Sequence, residues 1–336
     1  QTKLGAKSLV DSGVAEVPSI FFQRPEDRPG LSCKDGELLA PVIDLCGMDG
    51  PRRSEIVNEI KNACEKWAIF QIVNHGVPTT VMNGLLEASK RFHEQPSDVK
   101  LEFQTKDPSA QFTGSNFRAH SSSGRDTINY EAEETDKHLE AIPLVCREAF
   151  AEYLSCVKKL TGSLRELFSE ALGLPTDYLG SLGCMEVRRL TCHYYTSCPQ
   201  PELIFGTRAH TDPYFLTILL QDNIGGLQAL LGNRWVNVPP VDGALVINLG
   251  DFMQLVTNDK FKAVDHRVLA QKVGPRLSAA VFLSPSAEND GTAYGPIKQL
   301  LRDNEKPLYR EATFPEYFKD YTSSMPSGIK SLPHFQ

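Results

Sequence analysis

Three side chains in this sequence could share a metal ion. His210 and Asp212 are separated by one residue, and His266 follows 54 positions after Asp212. Each lies in or beside an apolar, strand-like run, and residues two apart on a strand point to the same side. His210 and Asp212 can therefore reach one ion together, while His266 must arrive from another strand, which Val264 and Val268 suit. Two neutral imidazoles and one carboxylate fit a ferrous ion held on one face, with the remaining positions open to an oxidant and a co-substrate. Arg276-Leu277-Ser278 begins ten residues after His266. It sets a guanidinium and a hydroxyl on one face of the apolar run Ala279-Ala280-Val281-Phe282, where the guanidinium could grip a carboxylate with two parallel hydrogen bonds. A buried charge without a partner is costly. Arg276 thus calls for either a structural Asp or Glu or an anionic ligand.

The elements that must position these groups divide into helices first and strands afterwards. Val42-Ile43-Asp44-Leu45 reads as a short strand. Ser54 opens a helix with Ile56, Ile60, Ala63 and Trp67 on one face, and Ile69–Val73 is a second strand closed by Asn74-His75-Gly76. Val81, Leu85, Ala88 and Phe92 mark another amphipathic helix, and Phe150, Leu154, Val157, Leu160, Leu164 and Phe168 a longer one ended by Gly173 and Pro175. Between them, residues 105–140 are polar and Ser-rich with isolated aromatics, the texture of a functional or disordered loop. From residue 185 the runs Met185–Tyr195, Phe215–Gln221, Leu227–Leu231, Trp235–Val238, Ala244–Leu249 and Leu277–Leu283 alternate with Gly, Pro and Asp turns. Many short strands at such spacing argue for a sandwich or barrel. The expected fold class is α+β with a mainly β core: a jelly roll, or double-stranded β-helix, buttressed by an N-terminal helical layer. One domain over 1–336 is expected, with an N-terminal region at 40–150 carrying the loop and the jelly roll at 185–290.

Composition narrows the function classes. With 41% hydrophobic and 23% charged residues over 336 positions, the chain can bury a substantial core. A formal charge of −7 with scattered Lys and Arg lacks the basic stripe of a nucleic-acid binder. No apolar run approaches the roughly 20 residues of a membrane span. The eight cysteines form no C-x-x-C pair, which speaks against structural zinc and for reduced thiols in a cytoplasmic protein. A monomer acting on a small molecule, without nucleic acid or membrane, is the expectation.

Several segments in order resemble the plant iron(II)/2-oxoglutarate-dependent dioxygenases. They are His210-Thr211-Asp212-Pro213, Thr217–Asp222, Gly225-Gly226-Leu227-Gln228, Gly250-Asp251, Thr257-Asn258, His266-Arg267-Val268 and Arg276-Leu277-Ser278. Pro41–Leu45 and Phe70–Pro78 match that family's leading region. Lys3–Val14 and Cys192-His193-Tyr194-Tyr195 are similar to one branch, the 1-aminocyclopropane-1-carboxylate oxidase homologues, which includes deacetoxyvindoline 4-hydroxylase.

The resemblance implies His210, Asp212 and His266 as iron ligands, Arg276 and Ser278 as the clamp for the distal carboxylate of 2-oxoglutarate, and Tyr195 as a further donor. Fe(II), with 2-oxoglutarate and O2 as co-substrates, is implied, and ascorbate is allowed as a reductant. No protein acid or base is required beyond the metal centre. His193 stands where many relatives have Asn, so its part in holding the co-substrate stays open, and His75 and Asp251 read as structural. Selectivity is expected from departures: Tyr214 where many relatives have Gly, and Gly124 where they often carry Trp. Phe112, Ser115, Phe117, Tyr130, Tyr214, Phe282 and Phe318 are the expected pocket lining, suited to an apolar, ring-bearing metabolite such as an alkaloid. Hydroxylation is the leading outcome. The same site could give desaturation, demethylation or ring formation, and a non-catalytic binding protein on this fold is the alternative of another class.

Overall fold

The computed structural model describes residues 6–25, 28, 39–103, 112–115, 124–132, 139–324 and 329–336. Its first half supplies the helical layer. α1 (Ala6–Asp11) precedes β1 (Val42–Asp44), α2 (Arg53–Lys66), β2 (Ile69–Val73), α3 (Thr79–His93) and α4 (Ser97–Leu101). β3 (Phe112–Ser115) and β4 (Arg125–Glu131) follow, then α5 (Leu144–Ala171) and α6 (Tyr178–Ser181). α2, α3 and α5 bury the stripes read from the sequence, including Ile56, Ile60, Leu85, Phe92, Phe150, Leu154 and Phe168. Only Trp67 departs from its stripe: it caps α2 and stays half-exposed.

The second half is β5 (Glu186–Tyr195), β6 (Phe205–His210), β7 (Leu216–Gln221), β8 (Leu227–Leu231), β9 (Arg234–Asn237) and β10 (Leu245–Leu249). After α7 (Asp251–Val256) come β11 (His266–Leu269), β12 (Arg276–Ser284), β13 (Ala293–Tyr294), β14 (Ala312–Thr313) and α8 (Phe314–Ser324). An eight-stranded sheet runs β1-β2-β10-β7-β12-β5-β4-β3, and a four-stranded sheet runs β6-β11-β8-β9. The two face each other across the site, with α3 and α5 packed behind the large sheet against β5 and β12. This is the jelly roll with a helical buttress. Among the described residues no helix is long and apolar enough to cross a membrane.

Residues 105–140 depart from expectation. The described parts of this stretch include two strands, β3 and β4, which extend the large sheet beyond β5. On β4, Asp126, Ile128 and Tyr130 are buried and alternate with half-exposed Arg125, Thr127, Asn129 and Glu131. One side packs on the helices; the other faces the interior between the sheets.

Candidate metal and co-substrate site

β6 ends at His210 and β11 begins at His266, and the two residues are direct cross-strand partners. Their rings lie 4.3 Å apart. Asp212 follows on the loop toward β7, held by its backbone: its carbonyl accepts the Asp251 N–H at 2.8 Å. Gly250 permits that approach, since a Cβ there would stand 2.0 Å from the Tyr214 carbonyl oxygen. Asp212 Oδ2 accepts from Thr217 Oγ1 at 2.6 Å and from the Asn248 amide at 3.0 Å. Its other oxygen, Oδ1, faces His210 Nε2 at 3.6 Å and His266 Nε2 at 3.7 Å.

These three ligand atoms all lie within 4.8 Å of one another. Metal–ligand bonds of about 2.1 Å would place neighbouring ligands about 3 Å apart, so a small closure suffices. His210 Nδ1–H donates to the Arg208 carbonyl at 2.8 Å, which leaves the Nε2 lone pair for a metal. His266 Nδ1 lies 3.3 Å from the Val264 carbonyl and 3.1 Å from the Asn248 amide nitrogen. Burial and the neighbouring His266 push the His210 imidazole down to about 4, so it is neutral at pH 7. Burial alone would raise Asp212, but the two imidazoles, Thr217 and Asn248 outweigh it and hold the carboxyl below its ordinary value. Two imidazoles beside an ionised carboxylate, each oriented by a second partner, are the donor set a ferrous ion takes.

The co-substrate end lies farther along the same interior face. Arg125, Tyr195 and Arg276 stand in one cross-strand row, and Thr127, His193, Ser278 and Gln221 in the next. Arg276 is 1% exposed, and no carboxylate among the described residues lies within salt-bridge distance. Its nitrogens donate to the Gly225 carbonyl at 2.6 Å, Ser278 Oγ at 3.2 Å and Gln221 Oε1 at 3.2 Å. Of the two readings the sequence left open, the described geometry favours the anionic ligand. A fully buried guanidinium with only neutral acceptors fits an incoming carboxylate.

Tyr195 lies under Arg276, whose guanidinium carbon is 4.9 Å from the ring centre. Gly206 makes room for that ring, since a Cβ would stand 2.8 Å from it. The Tyr195 hydroxyl pairs with Thr207 Oγ1 at 3.0 Å and receives a long bond from Arg125 at 3.5 Å. Arg125 also donates to Thr207. Burial raises the Tyr195 phenol, yet the two guanidiniums and these bonds bring it below its ordinary value, which makes it a strong donor. His193 pairs with Thr127 Oγ1 at 3.0 Å, and burial beside Arg125 and Arg276 keeps its ring neutral. His75 is structural: its ring bonds the Gly243 carbonyl and the Val77 N–H.

The expected pocket residues separate into groups. Tyr214 stacks on Phe282 with ring centres 4.4 Å apart, and Phe318 lies 6.0 Å from Tyr214, so these three do come together. Phe112 and Tyr130 do not join them. They are cross-strand partners on the helix side of β3 and β4, and Phe112 packs edge-on against Phe92 and Phe103 and beside Phe150. The reason is strand alternation, which turns every second residue to the helical layer. Ser115 ends β3 opposite Thr127, with its side chain outside the description, and Phe117 lies outside the described residues.

Nor is the described wall simply apolar. Thr191 donates to Asn129 at 2.9 Å, Asn129 reaches Thr113 at 3.5 Å, and Arg189 forms an ion pair with Glu131. Arg189 also hydrogen-bonds Tyr214 and lies over the Phe318 ring at 5.8 Å. Sequence reasoning missed Arg125, Glu131, Arg189, Asn248 and Thr217. The first three had a signal in the alternation on β4 and β5; Thr217 opened one of the resembling segments without being given a role, and Asn248 had no signal beyond being a polar residue in an apolar strand.

A jelly roll with this donor set and a buried guanidinium defines a metal-dependent oxygenase that uses an anionic co-substrate, and comparison with known proteins agrees. Residues 187–285 match the 2OG-Fe(II) oxygenase superfamily, and residues 40–143 match the N-terminal region described as non-haem dioxygenase in morphine synthesis. The chain is 43% identical to 1-aminocyclopropane-1-carboxylate oxidase homolog 9 of Arabidopsis thaliana, over 100% of this chain and 94% of that one. It is 42% identical to deacetoxyvindoline 4-hydroxylase of Catharanthus roseus, over 94% of this chain and 82% of that one. Among solved structures, JOX2 in complex with 2OG, Fe and JA superposes with a TM-score of 0.82 at 28% identity, covering 94% of this chain and 92% of that one. The chain belongs to the 2OG-Fe(II) oxygenase superfamily. It is an enzyme whose cofactor is iron(II) and whose co-substrate is 2-oxoglutarate.

Proposed function

We propose that His210, Asp212 and His266 hold the iron, that Arg276, Ser278 and Tyr195 hold the distal carboxylate of 2-oxoglutarate, and that the enzyme hydroxylates a ring-bearing small molecule. The observation that carries this reading is the fully buried Arg276, which has only neutral acceptors among its described partners, on the same interior face as the three converging ligand atoms. When bound, iron(II) with 2-oxoglutarate and O2 would supply the oxidising power, with succinate and CO2 as by-products and one oxygen atom passing to the substrate. The protein's own groups bind and orient. Thr217 and Asn248 fix the Asp212 carboxylate, and Arg208 fixes the His210 ring. Arg125 and Thr207 set the direction of the Tyr195 hydroxyl.

Substrate class follows from the other end of the interior. The stacked Tyr214 and Phe282 with Phe318 offer an aromatic floor to a ring. The Thr113–Asn129–Thr191 chain and the Arg189–Glu131 pair ask for hydrogen-bonding groups on the same molecule. A ring system carrying oxygen or nitrogen functions therefore suits the wall better than a wholly apolar one. A plant specialised metabolite such as an alkaloid fits that description, and the hydroxylase named among the relatives supports the reaction type.

The test is incubation with iron(II), 2-oxoglutarate and a panel of such metabolites, reading succinate release and product mass. Gain of a single oxygen atom with succinate is expected. Asp212→Ala should abolish both while leaving the circular dichroism spectrum unchanged. Absence of 2-oxoglutarate binding and of succinate with every substrate would refute the proposal.

A further inference from the structure

The segment that carries two of the metal ligands is fastened from outside the jelly roll, by its last long helix. Thr211, between His210 and Asp212, is buried, and both of its polar ends are occupied. Its carbonyl accepts from the Tyr321 hydroxyl of α8 at 2.7 Å. Its own hydroxyl donates to Asp251 Oδ2 at 3.0 Å, and the same oxygen accepts from the Tyr317 hydroxyl of α8 at 2.8 Å. The Asp251 N–H in turn holds the Asp212 carbonyl. Two phenols one turn apart on α8 thus bear on the ligand segment, one directly and one through Asp251.

We infer that Tyr321 and Tyr317 are positioning residues for the metal site, and that α8 sets the spacing between the two ligands. The peptide planes on either side of Thr211 decide the directions in which the His210 and Asp212 side chains leave the backbone. Those directions decide whether Nε2 and Oδ1 meet one ion. A buried carbonyl that loses its donor must turn or recruit water, and at this carbonyl either response moves a ligand. The same helix places Phe314 and Phe318 against Tyr214, at ring distances of 5.8 Å and 6.0 Å. One face of α8 therefore touches both the ligand segment and the stacked pair Tyr214 and Phe282.

This inference rests on the proposed ligand set, so the experiment separates the two. Binding of Mn(II) and Co(II) to metal-free protein is measured by equilibrium dialysis, with the visible spectrum of the Co(II) form as a second readout. If the parent protein binds neither ion, the ligand assignment fails and the inference falls with it. If the parent binds, Tyr321→Phe should weaken affinity by about 10-fold, the low end of the range seen when a direct partner of a ligand is removed, because Tyr321 acts one residue away from each ligand, and should alter the Co(II) spectrum. Tyr317→Phe, which acts through Asp251, should give a smaller loss in the same direction. It also provides the reading if Tyr321→Phe does not fold. A folded Tyr321→Phe protein with affinity within twofold of the parent and an unchanged spectrum would overturn the inference, even if its melting temperature had dropped.

Discussion

Neighbouring residues on β4 and β5 serve opposite ends. Toward the small sheet the two strands present Arg125, Thr127, Asn129 and Glu131 beside Tyr195, His193, Thr191 and Arg189, and described partners of this set bond one another across the strands. Toward the helices they present Ile128 and Tyr130 beside Cys192 and Leu190, closed over by α3 and α5. Asp126, on the helix side, accepts the Ala6 and Lys7 backbone N–H groups and so fastens α1. A repeat of two residues thus separates reactivity from stability within one pair of strands. The two faces should be separable by mutation.

The largest expected effect is on the interior face. Arg276→Ala on β12 should raise the KM for 2-oxoglutarate by about two to four orders of magnitude, since two charge-assisted bonds at about 1.5–3 kcal/mol each are lost. Steady-state kinetics in 2-oxoglutarate checks this, and an unchanged KM would remove Arg276 from the clamp. The helix face should behave the other way. Ile128→Ala, at a side chain with no exposure, should cost about 3 kcal/mol of unfolding free energy while leaving that KM within twofold. A denaturant titration paired with kinetics decides it; a large KM change would blur the division proposed for the strands.

The smallest effect concerns acid stability on the helix side. His93, the last residue of α3, is buried beside Phe92 and Tyr194, and burial with the charges of Lys100 and Lys7 pushes its ring down to about 3. The folded state therefore keeps His93 neutral where the unfolded chain would protonate it. The stability this contributes is complete above about pH 6.5 and is lost as pH falls toward the folded value. Between pH 7 and pH 5 the loss is about 2 kcal/mol. His93→Phe should remove that part of the acid sensitivity without altering turnover at pH 7. Identical pH dependence of melting in parent and variant would count against it.

The sequence was most readable where chemistry and periodicity coincide. His210 and His266 stand at strand ends with Asp212 on the loop after β6, and Arg276 and Ser278 keep strand spacing on β12, so the sequence could bring these groups near one another before any coordinates. β3 and β4 were hidden because the interior face is polar, and polar Ser-rich composition reads as loop. The signal was present in the alternation of Asp126, Ile128, Tyr130 and Ala132, which marks a strand buried on one side. That oversight also sent Phe112 and Tyr130 to the wrong side of the sheet. α8 was missed although Phe314, Tyr317, Phe318 and Tyr321 recur at helical spacing. Its importance lies in two phenolic hydroxyls whose partners are more than 60 positions away, at Asp251 and Thr211, and no local pattern reports contacts of that span.

Strand order carries a consequence for how such an enzyme could diversify. Arg276 and Ser278 lie on β12, which has neighbours on both sides, whereas among the described residues β3 pairs only with β4 and stands last in the sheet. A change on β12 disturbs two ladders and the iron end together; a change on β3 disturbs one. Lineages descending from this chain could thus explore new substrates at the margin of the sheet while inheriting the oxidising machinery intact. Directed evolution for altered substrate range should start from that same margin.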